Sequence, residues 1–340
     1  MMEKVQVHAD NGSYDILIGN DLLNNEYLKS FEKSAIITDD VVYDLYGKRF
    51  AGTNVIVLKS GEESKNMQNL EMIYDRLMDF GLDRNSVLAA VGGGVVGDIC
   101  GFAAATFKRG VRFVQYPTTL LAQVDSSVGG KVAVNLRGGK NMVGAFYQPC
   151  AVFADTSALD TLDERQYAAG MAEVVKYAYI ADKGLHQTLV QQSADIGAIV
   201  KRCCEIKTDY VHQDPYDTGI RMQLNYGHTI GHAIETVAGY GTFLHGEAIA
   251  IGMVYAAHLG EQLGISPKGL ASDTISLLRK YKLPVMLKQD ILDQALQILL
   301  ADKKADGKDI HFVLIDQIGH AVLKKLPAEL IQKTVKEMKV

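Results

Sequence analysis

The segment Asn225–Glu235 reads NYGHTIGHAIE. His228 and His232 stand four residues apart, so on a helix they share one face, a spacing common among zinc sites. His245 follows in LHGEA at an expected helix start, and Glu173 lies in AGMAEVVKYA, helical by its pattern, with Lys176 one turn on. Two or three histidines with a carboxylate would make a catalytic metal set with an open coordination position. Spacing alone does not say which two histidines would bind, nor does it exclude His232 facing a substrate instead. The plain alternative is a set of surface or core histidines. His8, His186, His212, His258, His311 and His320 have no partner visible in the sequence and read as structural.

A second group of residues suits phosphate. Ser86–Asp98 reads SVLAAVGGGVVGD, a buried strand running into glycines and then a helix. Glycines let backbone approach a ligand, and a helix N-terminus favours an anion. The pattern is neither the dinucleotide fingerprint nor a Walker loop, and a tight strand–helix connection with Asp98 as a cap is the bland reading. Ser60–Lys65 and Asp39 also end strands, on the edge where open α/β sheets bind ligands. Gln115–Gln148 contains Thr118, Thr119, Asp125, Lys131, Lys140 and Asn141 and shows no long periodic segment, so it reads as an irregular functional loop. Arg109, Lys131, Lys140, Lys176, Lys207, Arg221 and the pair Lys303-Lys304 fall in or beside these motifs, although the chain carries a net charge of −5. Cations gathered in an acidic protein suit a small substrate with phosphate and carboxylate groups.

These groups need elements to carry them. Lys4–Ala9 and Ser13–Ile18 alternate around Asn11-Gly12, which predicts a hairpin. Ser34–Thr38, Asn54–Leu58, Ser86–Val91, Arg112–Tyr116 and Ala151–Asp155 read as short buried strands. Met67–Leu77 reads as a helix stopped by Gly81, and a small-residue helix is expected over Asp98–Phe107. Strands alternating with helices imply a mainly parallel, Rossmann-like α/β sheet. After about residue 160 the pattern becomes helical: Asp163–Ala181, Ala194–Tyr210, Gly227–Gly239, Gly246–Leu263, Leu270–Tyr281 and Asp290–Ala301, with a late hairpin around Gly319. The expected division is an α/β domain over residues 1–160 and a mostly α-helical domain over 161–340, with the boundary near 156–162.

The 340 residues are 48% hydrophobic and 22% charged, as in ordinary globular chains that need no disulfide staples. The acidic balance argues against nucleic acid as a partner. No apolar run approaches the ~18–20 residues of a membrane span, and MMEKVQVHAD lacks a secretory apolar core. None of Cys100, Cys150, Cys203 and Cys204 forms a CxxC pair, so reduced structural thiols in a cytoplasmic protein are expected.

The segments GGGVVGDICGFAAATFKRG, QYPTTLLAQVDSSVGGKVAVN, GKNMVGAFYQP, AEVVKYA, NYGHTIGHAIE and LHGEAIAIGM, in that order across roughly residues 39–310, resemble the 3-dehydroquinate synthase family of sugar phosphate cyclases. The resemblance implies an NAD- and divalent-metal-dependent phosphorus–oxygen lyase of the shikimate pathway. It implies NAD contacts at Asp39, Glu62, Lys65, Gly93, Gly94, Val95, Val96, Gly97, Asp98, Thr118, Thr119, Asp125, Lys131, Lys140 and Thr161. It implies Zn2+ (or Co2+) on Glu173, His228 and His245, which leaves His232 as a substrate-facing acid/base. Substrate contacts fall on Lys131, Asn141, Lys176, Lys207, Arg221, Asn225 and one of Lys303 or Lys304, with Arg109 reaching the neighbouring subunit of a homodimer. Two rival enzymes share these elements: another sugar phosphate cyclase, whose substrate lacks a carboxylate, and a metal-dependent polyol dehydrogenase, which would release NADH. A non-catalytic binding protein would need neither metal set nor cation cluster.

Overall fold

The computed structural model describes residues 2–9, 12–239, 242–306 and 309–337; the side chains of 9 and 300–306 are outside the description. The chain forms two compact units, residues 1–163 with 196–216, and residues 164–195 with 217–340.

The first unit contains β1 (Glu3–Ala9), β2 (Gly12–Gly19), β3 (Ser34–Asp39), α1 (Asp40–Tyr46), β4 (Asn54–Leu58), α2 (Met67–Asp79), β5 (Val87–Gly92), α3 (Gly94–Thr106), β6 (Arg112–Pro117), β7 (Lys131–Leu136), β8 (Gly139–Phe146) and β9 (Ala151–Asp155). Seven strands form one sheet in the order β1-β2-β9-β6-β5-β3-β4, and only the β1–β2 pair is antiparallel. The hairpin expected at the start is therefore present, with Asp10 and Asn11 of its turn outside the described residues.

Strand β5 shows why the sheet reads as unbroken apolar runs. Leu88 and Ala90 join one core with Leu70, Ile73 and Leu77 of α2 and Ile99 and Ala103 of α3. Val87, Ala89 and Val91 join another with Leu28, Val42 and Phe153. A strand covered on both faces has no polar side to alternate with.

The structure departs from the sequence reading in two places here. Helix α3 begins at Gly94 with Gly93 as N-cap, so Asp98 lies in its second turn and caps nothing. The stretch from Gln115 to Gln148 holds a two-stranded antiparallel hairpin, β7–β8, with a two-residue turn at Arg137-Gly138. Half of β8 is exposed, so its strand character left no alternating apolar signature.

The second unit contains α4 (Glu164–Ala181) and α5 (Lys183–Gln191); α6 (Ile196–Gln213), next along the chain, belongs to the first unit. The sequence reading grouped it with the later helices. Its Lys201 pairs with Glu3 of β1 at 2.6 Å, and Cys204 donates to the Gln123 carbonyl at 3.3 Å. The second unit continues with α7 (His228–Ala238), α8 (His245–Gln262), α9 (Leu270–Lys280), α10 (Gln289–Asp306), the antiparallel pair β10 (Ile310–Gln317) and β11 (His320–Leu326), and α11 (Ala328–Glu337). Short helices α1, α5 and α11 escaped the sequence reading.

Helices α7 and α8 come together through small residues. A β-carbon at Gly252 would run into the carbonyl oxygen of Gly227, which caps α7. Asp273 of α9 accepts from Tyr179 of α4 at 2.7 Å and meets His186 of α5 at 2.8 Å, tying three helices. Among the described residues no helix is long and apolar enough to cross a membrane.

Candidate functional site

In the first unit the sheet order reverses between β3 and β5, the position where open α/β sheets bind ligands beyond their carboxyl ends. Several of the expected cofactor positions lie at these strand ends. Gly93 has no side chain to cap α3, so the first turn of a 13-residue helix presents its own N–H groups. A β-carbon on Gly94 would meet Ser126 Oγ at 3.0 Å, so the turn is closely lined. Gly97 and Val96 are buried and Val95 is partly open. Thr118 is buried, and its N–H donates to the Gly92 carbonyl at 3.0 Å. Thr119 Oγ1 accepts from the Ala122 N–H.

A charged network borders this edge. Lys65, 4% exposed, pairs with Asp98 at 2.5 Å and lies 3.9 Å from Glu62. Burial pushes the Asp98 carboxyl up against the pull of Lys65. Asn135 donates to Glu62 at 2.7 Å and accepts from the Asn141 N–H at 2.9 Å. That second bond holds Asn141 at φ 56, a left-handed backbone that asparagine tolerates better than most residues. Asn135 carried no sequence signal, because its contacts depend on hairpin register. Asp39 caps α1 by accepting from the Val42 N–H at 2.9 Å, and burial raises its carboxyl. Thr161 meets the Tyr46 hydroxyl at 2.5 Å. Lys207 of α6 donates to both the carboxylate and the carbonyl of Asp125, at 2.8 and 2.6 Å. Lys131 and Arg109 are exposed, Lys140 is half-buried, and Arg109 holds φ 68.

The second unit brings Glu173, His228, His232 and His245 together. Glu173, on α4, is fully buried. Its Oε1 lies 3.6 Å from His228 Nε2 and 3.5 Å from His245 Nε2, while its Oε2 pairs with Lys176. His228 and His245 are the first residues of α7 and α8. The outer nitrogens are held as well: His228 Nδ1 meets the Tyr226 carbonyl at 3.1 Å, and His245 Nδ1 meets Glu235 at 3.2 Å. His232, exposed, stacks edge-on to His228 with ring centres 5.3 Å apart. One nitrogen from each of the three histidines falls within a 4.8 Å cluster. Burial pushes His228 down to about 3. Burial also works against protonation of His245, but Glu173 and Glu235 outweigh it and raise the ring to about 9.

A buried carboxylate faced by two imidazole nitrogens is a donor set that suits a divalent ion such as zinc. Arg221 is 2% exposed and Asn225 is open to solvent, both on the 3-10 turn Ile220–Asn225 leading into α7. Lys303 and Lys304 have side chains outside the described residues. Glu235 closes the segment NYGHTIGHAIE, which by itself gives it no role. Its place seven residues after His228, two turns on along the same helix face, was the available signal.

Fold and centre define a class: a two-unit protein with a mainly parallel-sheet unit and a helical unit carrying a carboxylate–imidazole centre. Residues 55–169 match the family description 3-dehydroquinate synthase N-terminal, and residues 170–305 match 3-dehydroquinate synthase C-terminal. The chain belongs to the 3-dehydroquinate synthase family. It is 44% identical to the 3-dehydroquinate synthase of Pelobacter propionicus, over 96% of this chain and 97% of the relative. Among solved structures it is similar to a 2-deoxy-scyllo-inosose synthase complexed with carbaglucose-6-phosphate, NAD+ and Co2+, at 29% identity, a TM-score of 0.84 and coverage of 98% and 99%. It is also similar to a 2-epi-5-epi-valiolone synthase from Streptomyces hygroscopicus with NAD+ and Zn2+ bound, at 26% identity, a TM-score of 0.84 and 97% of each chain.

Proposed function

We propose that this enzyme is a 3-dehydroquinate synthase, converting 3-deoxy-D-arabino-heptulosonate 7-phosphate to 3-dehydroquinate and phosphate in aromatic amino-acid biosynthesis. The observation that carries the reading is full-length likeness to 3-dehydroquinate synthases at 44% identity, in a chain whose buried Glu173 is faced by His228 and His245. The two solved synthases named above carry other names, but at 26–29% identity.

In this reading the substrate is oxidised transiently at C5, loses phosphate by elimination, is reduced again, opens its ring and closes a carbocycle by aldol addition. Bound NAD would supply a hydride acceptor and donor, and Zn2+ or Co2+, which Glu173, His228 and His245 would hold, would make substrate hydroxyls more acidic. The α3 N-terminus at Gly93 and Gly94 would bind the cofactor's pyrophosphate, with Glu62, Lys65 and Asp98 beside it. His232 accepts or relays the C5 hydroxyl proton, a role its solvent-open ring can fill. Lys176, Arg221 and Asn225 of the second unit hold an anionic end of the substrate and keep the flexible intermediate oriented. Arg221, with Asn225 and His232, suits a carboxylate-bearing substrate, because a guanidinium meets a carboxylate in a bidentate fork. Arg109 serves the neighbouring subunit of a cytoplasmic homodimer.

The test is a turnover assay on metal-replete protein with NAD and the heptulosonate phosphate, following phosphate, carbocyclic product and NADH absorbance together. Phosphate and product rising in step with no net NADH is expected. Accumulating NADH would instead mark a dehydrogenase. A response only to phosphorylated sugars without a carboxylate would mark a different cyclase.

A further inference from the structure

Each histidine facing Glu173 has one nitrogen for the centre and one for the scaffold. His228 and His245 both turn Nε2 toward Glu173 Oε1, at 3.6 and 3.5 Å. A ring nitrogen held at hydrogen-bond distance by a carbonyl or carboxylate oxygen keeps its proton there, and a cation that displaces the proton from the opposite nitrogen takes that nitrogen's lone pair. The two outer partners differ in kind. Tyr226 offers a neutral main-chain carbonyl two residues from His228, while Glu235 offers a charged side chain from α7 to the first residue of α8. Glu235 is only 9% exposed. A carboxylate is costly to bury unless it accepts strong hydrogen bonds, and a charged acceptor makes the attached imidazole a better donor to a metal.

We infer that Glu235 is a positioning residue for the metal centre. By accepting the His245 Nδ1–H it fixes the tautomer and ring angle that aim Nε2 at Glu173, and it tightens the binding of a divalent cation there. The inference rests on the metal reading of this centre. It does not depend on whether His232 or Glu173 completes the set, since His245 belongs to both combinations.

The test uses the full chain and two probes, Zn2+ affinity by competition with a chromogenic chelator and the visible spectrum of the Co2+-loaded protein. Glu235→Ala should weaken zinc by about 10–100-fold and shift the Co2+ bands. Glu235→Gln, which keeps the shape and an acceptor oxygen but no charge, should fall between Ala and wild type. A purely structural role would lower the melting temperature of the metal-free protein and leave both metal readouts in place, which overturns the inference. Should the Ala variant fail to fold, Gln decides, and zinc affinity equal to wild type overturns the inference. His228→Ala serves as control. If it keeps its zinc, the metal reading itself fails, whereas zinc lost there but retained in both Glu235 variants sinks the inference alone.

Discussion

The glycine-turn edge of the first unit and the histidine centre of the second are made from different materials. The edge is mostly main chain: a glycine turn, the uncapped N-terminus of α3 and strand ends, with Lys65, Glu62 and Asp98 at its border. The facing groups of the centre are side chains: a buried carboxylate on α4 faces imidazoles that start α7 and α8, and each of those rings is gripped from behind. Under the proposed function, the chemistry of the two ligand types accounts for the difference. A phosphate spreads its charge over several oxygens and is met well by a row of N–H dipoles. A divalent ion demands a few lone pairs aimed at one point, and only oriented side chains provide that.

The comparison predicts opposite sensitivities. The largest effect should come from His228→Ala, which removes a donor. Zinc should be lost, with affinity down by well over ~100-fold, and activity should go with it, while NAD binding persists. His232→Ala should keep zinc and turn over slowly. Bound zinc measured by mass spectrometry checks both, and loss of zinc from the His232 variant would show that the i, i+4 pair is the metal pair.

Next in size, Gly252→Ala places a β-carbon against the Gly227 carbonyl. Strain of this kind costs about 1–3 kcal/mol, read as a lower urea midpoint. Because Gly227 caps the helix that His228 begins, zinc should weaken too. Unchanged zinc with lowered stability would mean that the centre tolerates a shift between its helices.

Gly94→Ala tests the other region. A β-carbon there crowds Ser126 Oγ at 3.0 Å and should weaken NAD by about tenfold, roughly 1.4 kcal/mol, with zinc untouched. Equal NAD affinity in this variant, by fluorescence titration, would remove the glycine turn from the nucleotide edge.

The smallest effect lies in the scaffold of the second unit. The Asp273 carboxyl is held below its ordinary value of 3.8, first by its hydrogen bond with His186 and against burial, with Tyr179 helping. A carboxylate whose pKa is lower folded than unfolded contributes stability above the unfolded value and loses it as pH falls through the folded one. The melting temperature of wild type should therefore fall from about pH 4 downward more steeply than that of Asp273→Asn. Parallel curves would refute the assignment.

Much of the fold was legible because its signals are local. The buried run SVLAAV marked β5, the helical spacing of Leu70, Ile73 and Leu77 marked α2, and Gly319 marked the late hairpin. Other elements left weaker marks. Strand β8 is half exposed and α1 has seven residues, so neither shows a sustained period. The start of α3 leaves no local mark because glycine has poor helix propensity, yet the helix begins at Gly94. Lys207 and Asp125 stand far apart in sequence, and nothing local announces that α6 brings them to 2.8 Å.

By itself the sequence determined which residues could do chemistry and the elements that bear them. His228 and His232 share a helix face by periodicity alone, and the glycines after β5 must be a turn. Only the tertiary structure decided how those residues are aimed. Periodicity reports one element's inward face, but a ring's orientation is set by groups on other elements. Here Glu173 from α4 draws in the Nε2 atoms, and Tyr226 and Glu235 hold the Nδ1 atoms. Those contacts form only when three separate segments, α4, α7 with the residues leading into it, and α8, have packed together.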